Sequence, residues 1–211
     1  MIIMKKISLS IVALVVSMNV NAHPGGLDAK GGHMNTSTGE YHCHREPCFS
    51  LMVKQYERKN WPHWVDDDRD CQNTRNEILL RDAENPGLNP KGCKVTYGVW
   101  RCPYTGLVFT NPKDLDIDHI VPLKEAFRSG ASVWNRQEKR AFANDFENLL
   151  AVENSANRKK GDKDPAGWMP DKWDYQCDYI KQWKYIKQKY QLAIDNEEAQ
   201  AISFIERRCN N

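Results

Sequence analysis

The sequence predicts an α+β domain, and three observations predict it. Short runs such as Cys93 to Cys102, "CKVTYGVWRC", have the β-branched and aromatic content of strands. Later stretches place apolar residues at helical spacing, as at Tyr179, Trp183, Ile186, Tyr190 and Ala193. No glycine-rich phosphate loop follows any strand, which excludes a doubly wound dinucleotide fold.

The chain has 211 residues. Its first 22 read as a secretory signal, with Lys5 and Lys6 ahead of an apolar core, Ile7 to Val20, and a small-residue cleavage site at Ala22. That core is shorter than the roughly 20 residues of a membrane helix, so no membrane attachment is expected after cleavage. The remaining 189 residues suffice for one domain with a real core and a small appendage. Without Lys5 and Lys6 the balance is 28 basic against 28 acidic residues, so any basic surface must be local. Seven cysteines in an exported chain point to disulfides, and the odd count leaves one over.

From His23 to Cys48 the chain is rich in Gly, His, Thr and Ser and poor in large aliphatics, so this segment, 23–48, builds little core. The main domain spans 52–211. Within it "NPGLNPKG", Asn85 to Gly92, is turn chemistry, and "GLVFT", Gly106 to Thr110, can pair with the Cys93–Cys102 strand. Pro122 suits a first helical position, and "LKEAFRSG" ends on Gly130, a C-cap. "NRQEKRAFAN", Asn135 to Asn144, predicts a second short helix. "NLLAV", Asn148 to Val152, reads as a strand, and "NSANRKKGD", Asn154 to Asp162, as a loop entering or forming a short helix. Asp195 with Glu198 forms a capping box for the last helix, whose inner side carries Ile202, Ile205 and Cys209.

One apolar run, "LDIDHIVPL" from Leu115 to Leu123, carries Asp116, Asp118 and His119. Burying an unpaired charge costs several kcal/mol or about that order, so these groups sit on an exposed edge or hold something. Of six histidines only His63 and His119 lie in the main domain. That excludes a zinc centre of two or three histidines there, but permits one general base beside an oxygen-liganded metal.

"DIDHIVPL", Asn148 in "NDFENLLAV", and "NSANRKKGD" resemble, in order, the three parts of an HNH (ββα-metal) endonuclease. "CQNTRNEILLRD", "SGASVW", "FANDFENLLAV" and "KGDKDPAGWMP" resemble an exported branch, similar to the C-terminal nuclease domain of GmrSD-type enzymes, over roughly Trp64 to Cys209. The resemblance implies a ββα-metal core with added helices and disulfides, acting on nucleic acid, with DNA the expected substrate and no visible sequence-reading element. It implies His119 as general base, Asp118 and Asn157 as metal ligands, and Asn148 as a brace for the loop holding the histidine. Asn157 stands where the family's last histidine often lies, and a hard amide oxygen favours Mg²⁺ or Mn²⁺. In a strand Asp118 and His119 point to opposite faces while Asp116 and Asp118 share one, so the strand must end or bulge there. The resemblance also suggests pairs Cys71–Cys93 and Cys177–Cys209; Cys48–Cys102 is the remaining guess.

Several residues keep two readings. Arg158, Lys159 and Lys160 neutralise phosphate or form a solvated basic turn. Arg75 clamps a phosphate oxygen or makes an ordinary salt bridge. Asp66 to Asp70, "DDDRD", holds a cation or is a solvated loop. Lys181, Lys184 and Lys187 are read as solubilising charges rather than as a nucleic-acid track. "HPGGLDAKGGHMNTSTGEYHCHR" resembles a motif of exported bacterial proteins named for a Tyr-His-Tyr-His core, with Cys43 in place of the second tyrosine. Its His23, His33, His42 and His44 either converge on Zn²⁺ or Cu²⁺ or belong to a pinned, glycine-rich cap. The alternatives to a DNA endonuclease are an RNase or mixed nuclease, or an inactive metal-binding or cell-surface module. An immunity partner cannot be read from the sequence.

Overall fold

A computed structural model describes residues 27–29, 32–35, 40–43 and 56–209. The chain divides into two compact units, Met1–Lys54 and Gln55–Asn211. In the first, β1 (Gly32–Asn35) and β2 (Glu40–Cys43) form an antiparallel hairpin whose backbone register sets His33 opposite His42. The signal segment, His23, His44 and Cys48 lie outside the described residues.

The second unit is α+β, with two small sheets and six helices among its described residues. Helix α1 (Thr74–Asp82) starts at Asn73, whose side chain accepts the Asn76 amide. No apolar stripe marks this helix, because only Thr74, Ile78 and Leu79 are buried. A three-stranded antiparallel sheet follows: β3 (Glu84–Leu88), β4 (Val95–Arg101) and β5 (Val108–Phe109). Here the expected turn over Asn85–Gly92 is corrected, since the chain pairs through Asn85-Pro86-Gly87 before turning. Asn85 takes a left-handed φ of 50°, and the register shifts between Glu84 and Gly87, so Pro86 sits in a bulge where its missing N–H is tolerated.

The site-bearing layer comes next. Strand β6 (Leu115–His119) pairs antiparallel with β7 (Leu149–Glu153), and α4 (Asn154–Lys160) follows β7 at once. Between the two strands run α2 (Leu123–Arg128) and α3 (Arg136–Ala143). Pro122 caps α2 rather than opening it, one position earlier than expected. An Asn135–Glu138 capping box opens α3. The long helices α5 (Gln176–Lys189) and α6 (Asn196–Cys209) close the domain, and Asp195 with Glu198 caps α6 as the spacing predicts.

Two apolar clusters sandwich β6 and β7. One, under α1, contains Ile78, Leu79, Trp100, Leu115, Ile117 and Leu149. The other gathers Trp61, Tyr104, Ile120, Phe142, Tyr179 and Trp183 beneath α5 and α6. Ala193 does not join the α5 stripe, because the helix ends at Lys189 and Gln191 turns to φ 53°. Leu192 is buried in its place.

Cys71–Cys93 and Cys177–Cys209 are disulfides. The expected Cys48–Cys102 pair is corrected: Cys102 is a free thiol sealed in the core, where its sulfur accepts the Glu153 amide. Lys187 is also not a surface charge. It is buried with Glu125 at 2.7 Å and Glu198 at 3.2 Å, while Lys184 pairs with Glu206. Among the described residues no helix is long and apolar enough to cross a membrane.

Candidate active site

Alternation along β6 explains how charges enter an apolar strand. Leu115 and Ile117 face the α1 cluster, so Asp116 and Asp118 project from the other face, which α4 covers. There Asn157 Nδ2 donates to Asp116 Oδ2 at 3.1 Å. One turn later Lys160 Nζ lies 3.0 Å from Asp118 Oδ1 and 2.8 Å from Oδ2. The same ammonium donates to the His119 carbonyl at 2.7 Å, and the Tyr104 hydroxyl donates to Asp118 Oδ2 at 2.6 Å.

Asp118 is thus a buried carboxylate with its counter-ion built in. Burial raises its proton affinity above the usual carboxylate range, and the Lys160 ammonium and the Tyr104 hydroxyl offset part of that rise. A carboxylate offers about four lone-pair sites. The contacts from Lys160 and Tyr104 leave it one acceptor site, and its surface opens on the cleft described below.

His119 ends the strand and turns the other way. Its Nε2 lies 2.9 Å from the Ala143 carbonyl and must donate to it, which leaves Nδ1 with a lone pair. Burial pulls the imidazole down to about 3, aided by the charges of Arg58 and Lys160, so the ring is a neutral base at neutral pH. The Trp64 indole stacks on it at 6.0 Å and 25°. Asn148, fully buried, accepts the Val121 amide at 2.9 Å and donates to the Val121 carbonyl at 3.3 Å, while its own carbonyl accepts the Ile120 amide. One asparagine therefore fixes the chain immediately after His119.

Asp118, His119 and Asn157 line a common cleft of about 360 Å³, whose other walls include Tyr56, Arg58, Lys124, Arg158 and Asp162. The strand ends at His119, so side chains from opposite faces reach one space. With Nδ2 of Asn157 given to Asp116, the donor atoms that Asp118 and Asn157 have left are oxygens, a set that fits a hard divalent ion. Asp116 is held by Asn157 one step back along the strand.

Other expected residues fall elsewhere. Arg75 does not line the cleft; its Nη2 ties the Pro112 and Leu115 carbonyls at 3.1 and 2.9 Å, stapling the start of β6. Lys160 cannot neutralise substrate phosphate, because it is buried on Asp118. Arg158 does face the cleft, bonded to the Asn154 amide oxygen at 3.1 Å. Asp66, Asp68 and Asp70 bring carboxylate oxygens within 4.8 Å of one another on an exposed turn, where they also accept backbone amides. Arg58, Tyr56 and Trp64 were not anticipated, since no local pattern marks residues that reach a site through tertiary packing.

The family described as GmrSD restriction endonucleases, C-terminal domain, matches residues 73–204. An uncharacterized secreted protein of Arthroderma benhamiae (strain ATCC MYA-4681 / CBS 112371) is 38% identical over 156 residues, covering 73% of this chain and 76% of its own. No solved structure matches.

Proposed function

This chain belongs to the family of the GmrSD restriction-endonuclease C-terminal domain, a nuclease family, and from that premise we infer an exported HNH-type endonuclease. Its substrate is DNA, cut with little sequence preference, and its cofactor is Mg²⁺ or Mn²⁺. The similarity to a secreted fungal protein, together with the signal-like first 22 residues, supports export.

The observation that carries the reading is one cleft holding Asp118, His119 and Asn157. Asp118 and Asn157 would hold the metal, which when bound supplies a Lewis acid for the scissile phosphate. His119 Nδ1 takes a proton from the attacking water, its orientation fixed through Nε2 by Ala143 and through Val121 by Asn148. Lys160 and Tyr104 oppose the effect of burial on Asp118 and hold its carboxyl in place. A neutral protein needs only local cations to bind a polyanion, and Arg58, Lys124 and Arg158 on the cleft supply them.

His119→Ala should cut the rate of plasmid cleavage by roughly 10²–10⁴ while leaving the circular dichroism spectrum unchanged. Wild-type digestion with Mg²⁺, Mn²⁺, Zn²⁺ or EDTA should show cleavage lost with EDTA. Full activity of His119→Ala, or activity indifferent to EDTA, would refute the assignment. RNA run in parallel decides the substrate.

A further inference from the structure

We propose that Arg58, in the arm preceding the family-matched segment, grips a non-bridging oxygen of the scissile phosphate; the assignment rests on the nuclease reading above. Arg58 opens a short 3₁₀ turn, Arg58–Asn60, and lines the cleft beside Asp118, His119 and Asn157.

Packing makes its position reproducible. Trp61, next after the turn, is 1% exposed and packs edge-on to Phe142 at 5.8 Å and against Trp134 at 6.1 Å. Asn144 then donates to the Pro62 carbonyl at 2.8 Å and accepts the Val65 amide at 3.3 Å. The residue before it, Ala143, holds His119. Arm and imidazole are therefore both anchored to the same end of α3. Trp64 adopts a left-handed φ of 57° to stack on His119, a conformation that costs a non-glycine residue of order 1–3 kcal/mol and persists where surrounding contacts enforce it.

Charge accounting singles out Arg58 among the cleft cations. Lys124 is paired with Asp162 at 3.0 Å, and Lys160 is spent on Asp118. Arg158 leans on Asn154. The carboxylate nearest to Arg58 in sequence, Glu57, is taken by Lys59 at 3.3 Å and Asn60 at 3.0 Å. Among the described residues Arg58 has no ion pair, and its charge acts on the Tyr56 hydroxyl and on the His119 ring. The carboxylate of Asp118 is matched by Lys160 and that of Asp162 by Lys124 with Arg128, so the unneutralised planar guanidinium of Arg58 is the cation left to meet an entering phosphodiester. Its fork matches two phosphate oxygens, and its attraction grows as charge builds on them during attack.

The test compares wild type, Arg58→Ala, Arg58→Lys and His119→Ala on a fluorescent DNA duplex, with thermal midpoint and Mn²⁺ affinity of the protein alone measured in parallel. Arg58→Ala should lower kcat/KM by roughly 10²-fold, with Arg58→Lys between. Thermal midpoint and Mn²⁺ affinity should hold. Added guanidinium ion should restore part of the Arg58→Ala rate and none of the His119→Ala rate. Arg58→Ala within threefold of wild type, alongside an inactive His119→Ala, would overturn the Arg58 assignment and spare the nuclease reading. A loss that tracks a lower thermal midpoint or Mn²⁺ affinity, without rescue, would also overturn it. A wild type that cleaves neither DNA nor RNA would remove the nuclease reading and this inference together.

Discussion

The Tyr104 hydroxyl lies 2.6 Å from a carboxylate that already has an ammonium beside it. Its contribution is then orientation more than charge, because Lys160 supplies the neutralisation. Tyr104→Phe removes one charge-assisted hydrogen bond worth about 1.5–3 kcal/mol and keeps the ring contacts with Trp168 and Tyr179. For a domain of this size the thermal midpoint should fall by about 3–10 °C. With Asp118 as the proposed metal ligand, loosening its support should weaken Mn²⁺ affinity by about tenfold or more, read by titration of the variant. A fall in thermal midpoint with unchanged Mn²⁺ affinity would limit Tyr104 to packing. The conjunction of Tyr104 with Asp118 was not legible in sequence. Tyrosine after Cys102-Pro103 looks like a turn residue, and only the folded sheet brings it under β6.

At the scale of elements, the order β6, β7, α4 was legible and its insertion was not a distraction. "LDIDH" and "NLLAV" are short apolar runs, and Asn154 to Lys160 is helical in the one segment left open between loop and helix. What the pattern concealed was β3, because Pro86 and Gly87 speak for a turn while bulged pairing overrides them. It also concealed the pairing of Asn157 with Asp116, a matter of helix register over the sheet. Helices α5 and α6 are joined twice, by Cys177–Cys209 and by Glu198 bonding both Trp183 and Lys187. The disulfide closes a separation of 32 residues, worth about 3–4 kcal/mol by chain entropy. Cys177→Ser with Cys209→Ser should lower urea stability by up to that amount yet keep helical circular dichroism, since the Glu198 network remains. Collapse of the helical signal would mean the crosslink, not the buried network, organises this pair.

Over the whole molecule, near-neutral charge is joined to a cleft that carries Arg58, Lys124 and Arg158. On the proposed reading roughly three phosphates are neutralised, so log K for duplex DNA against log salt should have a slope of about −3, measurable with the His119→Ala variant. A slope near −8 would require a basic track beyond the cleft. A neutral composition points to local rather than broad contacts with a polyanion. It could not foretell that the arm from Tyr56 to Val65 walls the site. Those residues are distant in sequence from β6, and aromatic packing together with the Asn144 hydrogen bonds brings them there.

Cys102 lies buried in a chain whose other body cysteines, 71, 93, 177 and 209, are crosslinked. A nascent chain exposes all seven thiols of the sequence to the same oxidant, and burial in the folded core sets Cys102 apart from the four crosslinked ones. Collapse around Tyr104 and Tyr179 must therefore outrun oxidation, or the wrong partner is captured and scrambled isomers accumulate. Secretion yield then becomes a race between condensation and sulfur chemistry, one that replacing Cys102 by alanine would decide in favour of the native isomer.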